Sequence, residues 1–171
     1  KTIESGLILT ELAARETIKR VLIVCPARLR EKWRDELYSR FDQQFDILDS
    51  RSAIELAASF ERQGESFACK AIIGLETLRA KNILERFEES FIDFDFALVD
   101  EAHHLRNPST AQSEAGFVIS ERSSAFLMLT ATPIQLDASD FYQLFHILDQ
   151  GAFASPEEFN RLQEPNLIIN E

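Results

Sequence analysis

The chain has 171 residues, of which 45% are hydrophobic and 27% are charged, and its formal net charge is −11. This length and composition favour one ordinary globular domain and exclude collagen-like, repeat and disordered proteins. No apolar run is long enough for a membrane helix, and no signal-peptide pattern begins the chain. We therefore expect a cytoplasmic or otherwise intracellular protein without a membrane partner.

The first predicted element is a helix over residues 2–17, where apolar residues recur at helical spacing. The run RVLIVCP comes next and is typical of a strand that is buried on both faces and ended by Pro26. The segment ARLREKWRDELYSRF then places apolar residues four apart, which predicts a helix packed on a sheet with Trp33 in the core.

The later elements continue this alternation. A weaker strand over 45–48 precedes a helix over 52–63, and a strand over 71–74 leads into a turn and a helix over 81–89. A strand over 96–99 ends at Asp100, and a helix over 111–120, a strand over 125–129 and helices over 138–148 and 156–162 follow. Strands separated by helices predict right-handed crossovers and a mostly parallel sheet, with ligands at the carboxyl ends of the strands. The predicted fold class is α/β.

Charge is unevenly distributed along the chain. Six carboxylates and no cation lie between Phe87 and Glu101, and we interpret the acids from Glu88 to Asp95 as a solvated face. Between Pro26 and Arg40, five cations face three acids. Because charge acts locally, this second stretch predicts a modestly basic strip on an acidic body.

The sequence DEAH follows the strand that ends at Asp100. Two adjacent carboxylates at that point suit the hydrolysis of a nucleoside triphosphate: Asp100 would hold Mg²⁺ through water, and Glu101 would orient and deprotonate the attacking water. A solvated turn is the alternative interpretation of the same pair.

Hydroxyl residues mark two further places. The sequence LTATP repeats the pattern of a strand that breaks into small polar residues, although Thr130 and Thr132 could equally be turn threonines. The chain begins with Lys1 and Thr2 directly before a helix, which is how a phosphate-binding loop ends, with a lysine for the β- and γ-phosphates and a hydroxyl for Mg²⁺. The dipeptide alone has almost no specificity.

Taken in order, KTIESGLIL, VLIVCPARLREKWRDEL, LETLR, LVDEAHHLRN and MLTATPIQ resemble the first motor lobe of superfamily 2 helicase-like ATPases. The resemblance is strongest to Swi/Snf-type DNA translocases, including the bacterial RNA-polymerase-associated branch. It implies a RecA-like three-layer sandwich of the P-loop NTPase type, with ATP and Mg²⁺ as ligands. The implied partners are double-stranded DNA, a second RecA-like lobe of the same polypeptide, and RNA polymerase or another DNA-bound protein.

The resemblance also implies individual roles. Lys1 would contact phosphate, Thr2 and Asp100 would bind the metal, and Glu101 would be the catalytic carboxylate. His103, Thr130 and Thr132 would couple the nucleotide site to DNA. The implied DNA-binding residues are Arg28, Arg30, Thr77 and Arg79, although the family usually has a serine in place of Arg28.

Residues 1–171 are expected to form one lobe that lacks its first strand and the glycine part of the phosphate loop. We place that strand beside the strand that ends at Asp100. Since an arginine finger would come from a second lobe, the isolated chain is expected to be inactive. Two alternatives stay open: the motor lobe of a restriction-type or other superfamily 2 helicase, and a degenerate, non-catalytic docking module.

Overall fold

The computed structural model describes residues 1–131, 137–153 and 155–163. Its strands are β1 (Arg20–Cys25), β2 (Asp46–Leu48), β3 (Cys69–Gly74), β4 (Phe94–Asp100) and β5 (Ser123–Leu129). Its helices are α1 (Thr2–Arg15), α2 (Arg30–Phe41), α3 (Ser50–Gln63), α4 (Leu75–Leu78), α5 (Lys81–Ser90), α6 (Ala111–Glu121), α7 (Ala138–Leu148) and α8 (Pro156–Gln163). The predicted α/β alternation is confirmed. One prediction is wrong, because the segment after β3 is the short helix α4 and not a turn.

The five strands form one sheet in the order β2-β3-β1-β4-β5, and every described pairing is parallel. β1 is buried along its whole length, as its β-branched composition predicts. Its side chains alternate between two cores: Leu22 and Val24 face one, while Val21 and Ile23 face the other. Each such buried aliphatic side chain stabilises the fold by about 2 kcal/mol.

The two cores lie on opposite faces of the sheet, which gives three layers. The larger core packs α3, α5, α6 and α7 on one face. The smaller core packs α1 and α2 on the other, with Leu9, Trp33 and Leu37 as its helical contributions. Trp33 is thus in the core, as its place in the apolar stripe predicts.

The strand order corrects one expectation. We placed an additional strand beside β4, but β4 already pairs with β1 on one side and with β5 on the other. Among the described strands, β5 lies at the edge of the sheet, and most of its residues are half-buried whereas those of β4 are mostly buried. Within the part of the chain that the structure describes, the free edge on this side of the sheet therefore belongs to β5.

The amino ends of β1 and β4 are joined by an ion cluster of Arg20, Asp93 and Asp95, which we call the amino-end cluster. The Arg20 guanidinium is 5% exposed and lies 2.9 Å from Asp93 Oδ2 and 3.4 Å from Asp95 Oδ1. Asp95 Oδ2 also accepts hydrogen bonds from the backbone N–H groups of Lys19 and Arg20, at 2.6 and 2.8 Å. Glu88 and Glu89 are exposed, as the prediction of a solvated face requires, and the Asp93 side chain is 46% exposed. The prediction is wrong for Asp95, which is 21% exposed and pairs with the buried Arg20.

Candidate functional site

The site is built where β4 ends. Asp100 is the last residue of the strand and is almost completely buried, while Glu101 after it has φ +55° and ψ 46°, in the left-handed region. Such backbone is costly for a residue with a side chain and concentrates at functional sites. The turn is fixed by a short helix, Ala102–Leu105, whose two end residues are buried. It is also fixed by the Glu101 backbone N–H, which donates to Asp100 Oδ1 at 2.9 Å.

Lys1 joins the two carboxylates. Its Nζ lies 3.2 Å from Asp100 Oδ1 and 2.8 Å from Glu101 Oε1, although the residues are about a hundred positions apart in sequence. We call Lys1, Asp100 and Glu101 the carboxyl-end cluster. The structure thus brings the predicted phosphate-binding lysine to the predicted metal and catalytic carboxylates.

Both charges of the Lys1–Glu101 pair are stabilised. Burial opposes the charged form of Lys1, but hydrogen bonds to Glu101 and Asp100 outweigh it and raise the pKa of Lys1 above 10.5. Burial likewise opposes ionisation of Glu101, yet the hydrogen bond and charge of Lys1 hold the pKa of Glu101 below 4.5. Glu101 is therefore a carboxylate at neutral pH, as a base toward water must be.

Trp33 supplies a contact that sequence reasoning missed. Its indole Nε1–H donates to Asp100 Oδ2 at 3.1 Å, and both groups are buried. The apolar spacing of α2 predicted that the ring is buried but gave no sign of its hydrogen-bond partner. A buried indole N–H needs an acceptor, so a tryptophan predicted to be buried already indicates that a polar group lies next to its ring nitrogen.

The segments DEAH and LTATP also meet at Glu101. His103 Nδ1 lies 3.2 Å from Glu101 Oε2, and the backbone N–H of Ala131 donates to the Glu101 carboxylate. Burial, and then the neighbouring His104, lower the pKa of His103 below 6.5, so its imidazole is neutral at pH 7. Thr130 lies directly after β5, whereas Thr132 is outside the described residues. The two motifs are therefore in contact both through the pairing of Asp100 with Leu129 in the sheet and through the backbone of Ala131.

A cavity of about 400 Å³ opens beside the carboxyl-end cluster. It is lined in part by Lys1, Thr2, Trp33, Asp100, Glu101 and Ala131. Mg²⁺ takes few protein oxygens in nucleotide sites and completes its shell with phosphate and water. Over the described ranges, no group of three or more His, Cys, Asp or Glu side chains could hold a metal by itself. Asp100 and Thr2 both line this cavity, and a carboxylate and a hydroxyl are oxygen ligands of the kind that Mg²⁺ takes when it arrives with a nucleotide.

The two segments that carry the predicted DNA-binding residues adjoin at the carboxyl ends of β1 and β3. The backbone N–H of Ala27 donates to Glu76 Oε2 at 3.0 Å, which ties the segment after β1 to α4. Arg28 and Arg79 are exposed, and Thr77 is half-buried. Arg30 differs, because its guanidinium donates to the carbonyls of Ala27 and Leu48, at 3.1 and 3.2 Å.

This chain matches a family model and is similar to solved structures that include an ATPase core and a helicase domain. The family model described as the SNF2-related domain matches residues 1–167. The SWI2/SNF2 ATPase core of Sulfolobus solfataricus, solved in complex with double-stranded DNA, has 20% identity and a TM-score of 0.71, over 94% of this chain and 31% of that one. The Hef helicase domain of Pyrococcus furiosus has 18% identity and a TM-score of 0.63, over 86% and 30%. The chain spans about a third of these structures.

Proposed function

This chain belongs to the SNF2-related domain family, and on that premise we propose that it is the ATP-binding motor lobe of a double-stranded-DNA translocase. A helicase-like ATPase domain with a RecA-like fold follows from the family and the solved structures. The observation that carries the proposal further is the carboxyl-end cluster, in which Lys1 contacts both Asp100 and Glu101 beside a cavity.

Each residue of the site has a proposed task. Lys1 turns from the carboxylates to the β- and γ-phosphates of ATP, while Thr2 and Asp100 hold Mg²⁺. Glu101 orients the attacking water and takes its proton. Bound Mg²⁺ neutralises charge that develops on the phosphate oxygens. Most of the rate acceleration then comes from positioning and charge stabilisation.

The expected second lobe and additional strand remain proposals. The free edge of β5, with its half-buried apolar side chains, is where a further strand would pair with this sheet. We propose that the phosphate loop joins such a strand to Lys1, and that an arginine from a second lobe completes the site. Among the described residues, no helix is long and apolar enough to span a bilayer.

Nucleotide binding is the first test. A fluorescent ATP analogue titrated into the full-length protein with Mg²⁺ should bind, and K1A should abolish binding because the phosphate contact is lost. K81A is the matched control and should leave binding unchanged, since Lys81 is exposed and pairs with Glu85 on α5. Equal affinity of K1A and wild type would contradict the ATPase function and favour the docking-module alternative.

DNA binding is the second test. R28A and R79A should each weaken binding to double-stranded DNA of any sequence and reduce the salt dependence, because phosphate contacts release counterions. R51A is the control, since Arg51 is exposed but pairs with Glu55 on α3. If R28A and R79A bind DNA as tightly as R51A does, this surface is not the DNA site.

A further inference from the structure

Trp33 and Asp100 form a buried hydrogen bond between two layers of the fold. Trp33 lies on α2 and is 3% exposed, and Asp100 ends β4 and is 4% exposed. The indole nitrogen is 3.1 Å from Oδ2. A hydrogen bond to a charged acceptor in such a setting is stronger than one between neutral groups.

The other oxygen of Asp100 has different partners. Oδ1 accepts from the Glu101 backbone N–H at 2.9 Å and from Lys1 Nζ at 3.2 Å. The two oxygens therefore have different environments: Oδ2 accepts a hydrogen bond from Trp33 in the core, and Oδ1 contacts Glu101 and Lys1 in the candidate site. The carboxylate cannot rotate about its last bond without breaking contacts at both oxygens.

We propose that Trp33 is a positioning residue for the metal, which makes Asp100 present Oδ1 alone. This inference rests on the proposed function, since it concerns the Mg²⁺ that accompanies ATP. A single, fixed carboxylate oxygen suits the strict octahedral shell of Mg²⁺. Hydrogen-bond partners of metal ligands commonly change metal affinity by about ten-fold or more when they are removed.

Packing alone is the competing account of Trp33, because the ring belongs to the core with Leu9 and Leu37. The two accounts differ in one measurable quantity. Loose packing would weaken ATP binding with and without metal. A misplaced Oδ1 would reduce only the gain in ATP affinity that Mg²⁺ provides.

The test uses W33F in the full-length protein, since phenylalanine keeps an aromatic ring and removes the donor. The dissociation constant of ATP is measured in EDTA and in Mg²⁺. The constant in EDTA divided by the constant in Mg²⁺ gives the gain in affinity from the metal, and this ratio is compared between W33F and wild type. We expect the ratio to fall about ten-fold in W33F. L37V is the packing control, one turn further along α2, and should leave the ratio unchanged.

The outcomes separate this inference from the proposed function. If wild type binds Mg·ATP and W33F has an unchanged ratio, or loses affinity equally in both conditions, the positioning role is overturned and the proposed function stands. If wild type gains no affinity for ATP from Mg²⁺, both fall. Should W33F not fold, the Trp33 indole N–H resonance of wild type labelled with ¹⁵N-tryptophan is compared between ATP in EDTA and Mg·ATP. A shift that appears only with Mg²⁺ supports the role, because the metal then acts on the hydrogen-bonded carboxylate, and its absence overturns it.

Discussion

Each end of β4 carries a cluster in which one cation contacts carboxylates, and the two clusters differ in their surroundings. The amino-end cluster pairs Arg20 with Asp93 and Asp95, and the carboxyl-end cluster pairs Lys1 with Asp100 and Glu101. The two clusters differ in the hydrogen-bond donors that contact their carboxylate oxygens.

Backbone groups and a buried guanidinium fill the acceptors of Asp95, so these contacts are part of the sheet itself. Glu101, in contrast, is held by the lysine side chain, the Ala131 backbone and a left-handed turn, beside a cavity of about 400 Å³. Under the proposed function, Lys1 would leave this cluster to contact a phosphate. A cluster of one cation and two carboxylates therefore indicates a functional site only where a ligand can replace one of the contacts within the cluster.

The largest expected effect on stability is at the amino end. R20L should lower the free energy of unfolding by about 3 kcal/mol, because it leaves two carboxylates without their buried cation. Urea denaturation measures the change, and R51L, which removes an exposed arginine, should stay within about 0.5 kcal/mol. Similar losses in both variants would show that the amino-end cluster is not structural.

A smaller effect is expected where α1 crosses α2. A Cβ at Gly6 would lie 2.2 Å from the Phe41 ring, so the helices approach closely only because this position has no side chain. G6A should destabilise the domain by about 1 to 2 kcal/mol, although alanine is the better helix former.

Because α1 begins at Thr2, beside Lys1, G6A should also weaken Mg·ATP binding while the amino-end cluster is unaffected. A14G, at an exposed position of the same helix, calibrates helix propensity and should cost about 1 kcal/mol without changing nucleotide affinity. A gain in stability with G6A would show that the helix contact is not tight.

The proposed DNA surface offers a finer comparison, between two variants of Glu76. E76Q keeps an acceptor for the Ala27 N–H and removes the charge, whereas E76A removes both. Relative to E76Q, E76A should bind double-stranded DNA about five-fold more weakly, because the segment that carries Arg28 loses its tie to α4. Fluorescence anisotropy measures the affinities, and identical values would show that this hydrogen bond does not position the surface.

The smallest effect is the pH dependence of the Lys1–Glu101 pair. The lowered pKa of Glu101 means that its stabilisation is complete above pH 4.5 and is lost as the pH falls through the lower folded-state value. The raised pKa of Lys1 means that its stabilisation is complete below pH 10.5 and is lost as the pH rises through the higher folded-state value.

The difference in unfolding free energy between wild type and E101Q should therefore be below about 1 kcal/mol at neutral pH and vanish in acid. Urea denaturation at several pH values measures this difference. A difference that grows as the pH falls below 4.5 would contradict the assigned pKa direction.

The elements of the fold could be predicted because their signals are local. The β-branched run of β1 and the four-residue apolar spacing of α2 each show which side chains of that element are buried. The neighbours of β4 could not be predicted in the same way, since strand order depends on crossovers between distant segments. The expected strand beside β4 was wrong for that reason.

The site shows the same limit. Lys1, Asp100 and Glu101 were proposed from motifs, and the structure brings them together. The Trp33 hydrogen bond was missed because it joins residues 67 positions apart, and the left-handed backbone of Glu101 has no signal in its side chain. The metal, catalytic, coupling and DNA-binding roles themselves remain predictions.

The most direct test compares acid-to-amide changes at the two ends of β4 in the full-length protein, with ATP hydrolysis measured in the presence of double-stranded DNA. E101Q should lower kcat about a thousand-fold, because the base for the attacking water is lost. D95N should leave kcat unchanged and reduce the free energy of unfolding by about 1 to 2 kcal/mol. Hydrolysis that persists in E101Q, or that D95N lowers equally, would contradict the assignment of the carboxyl-end cluster as the catalytic site.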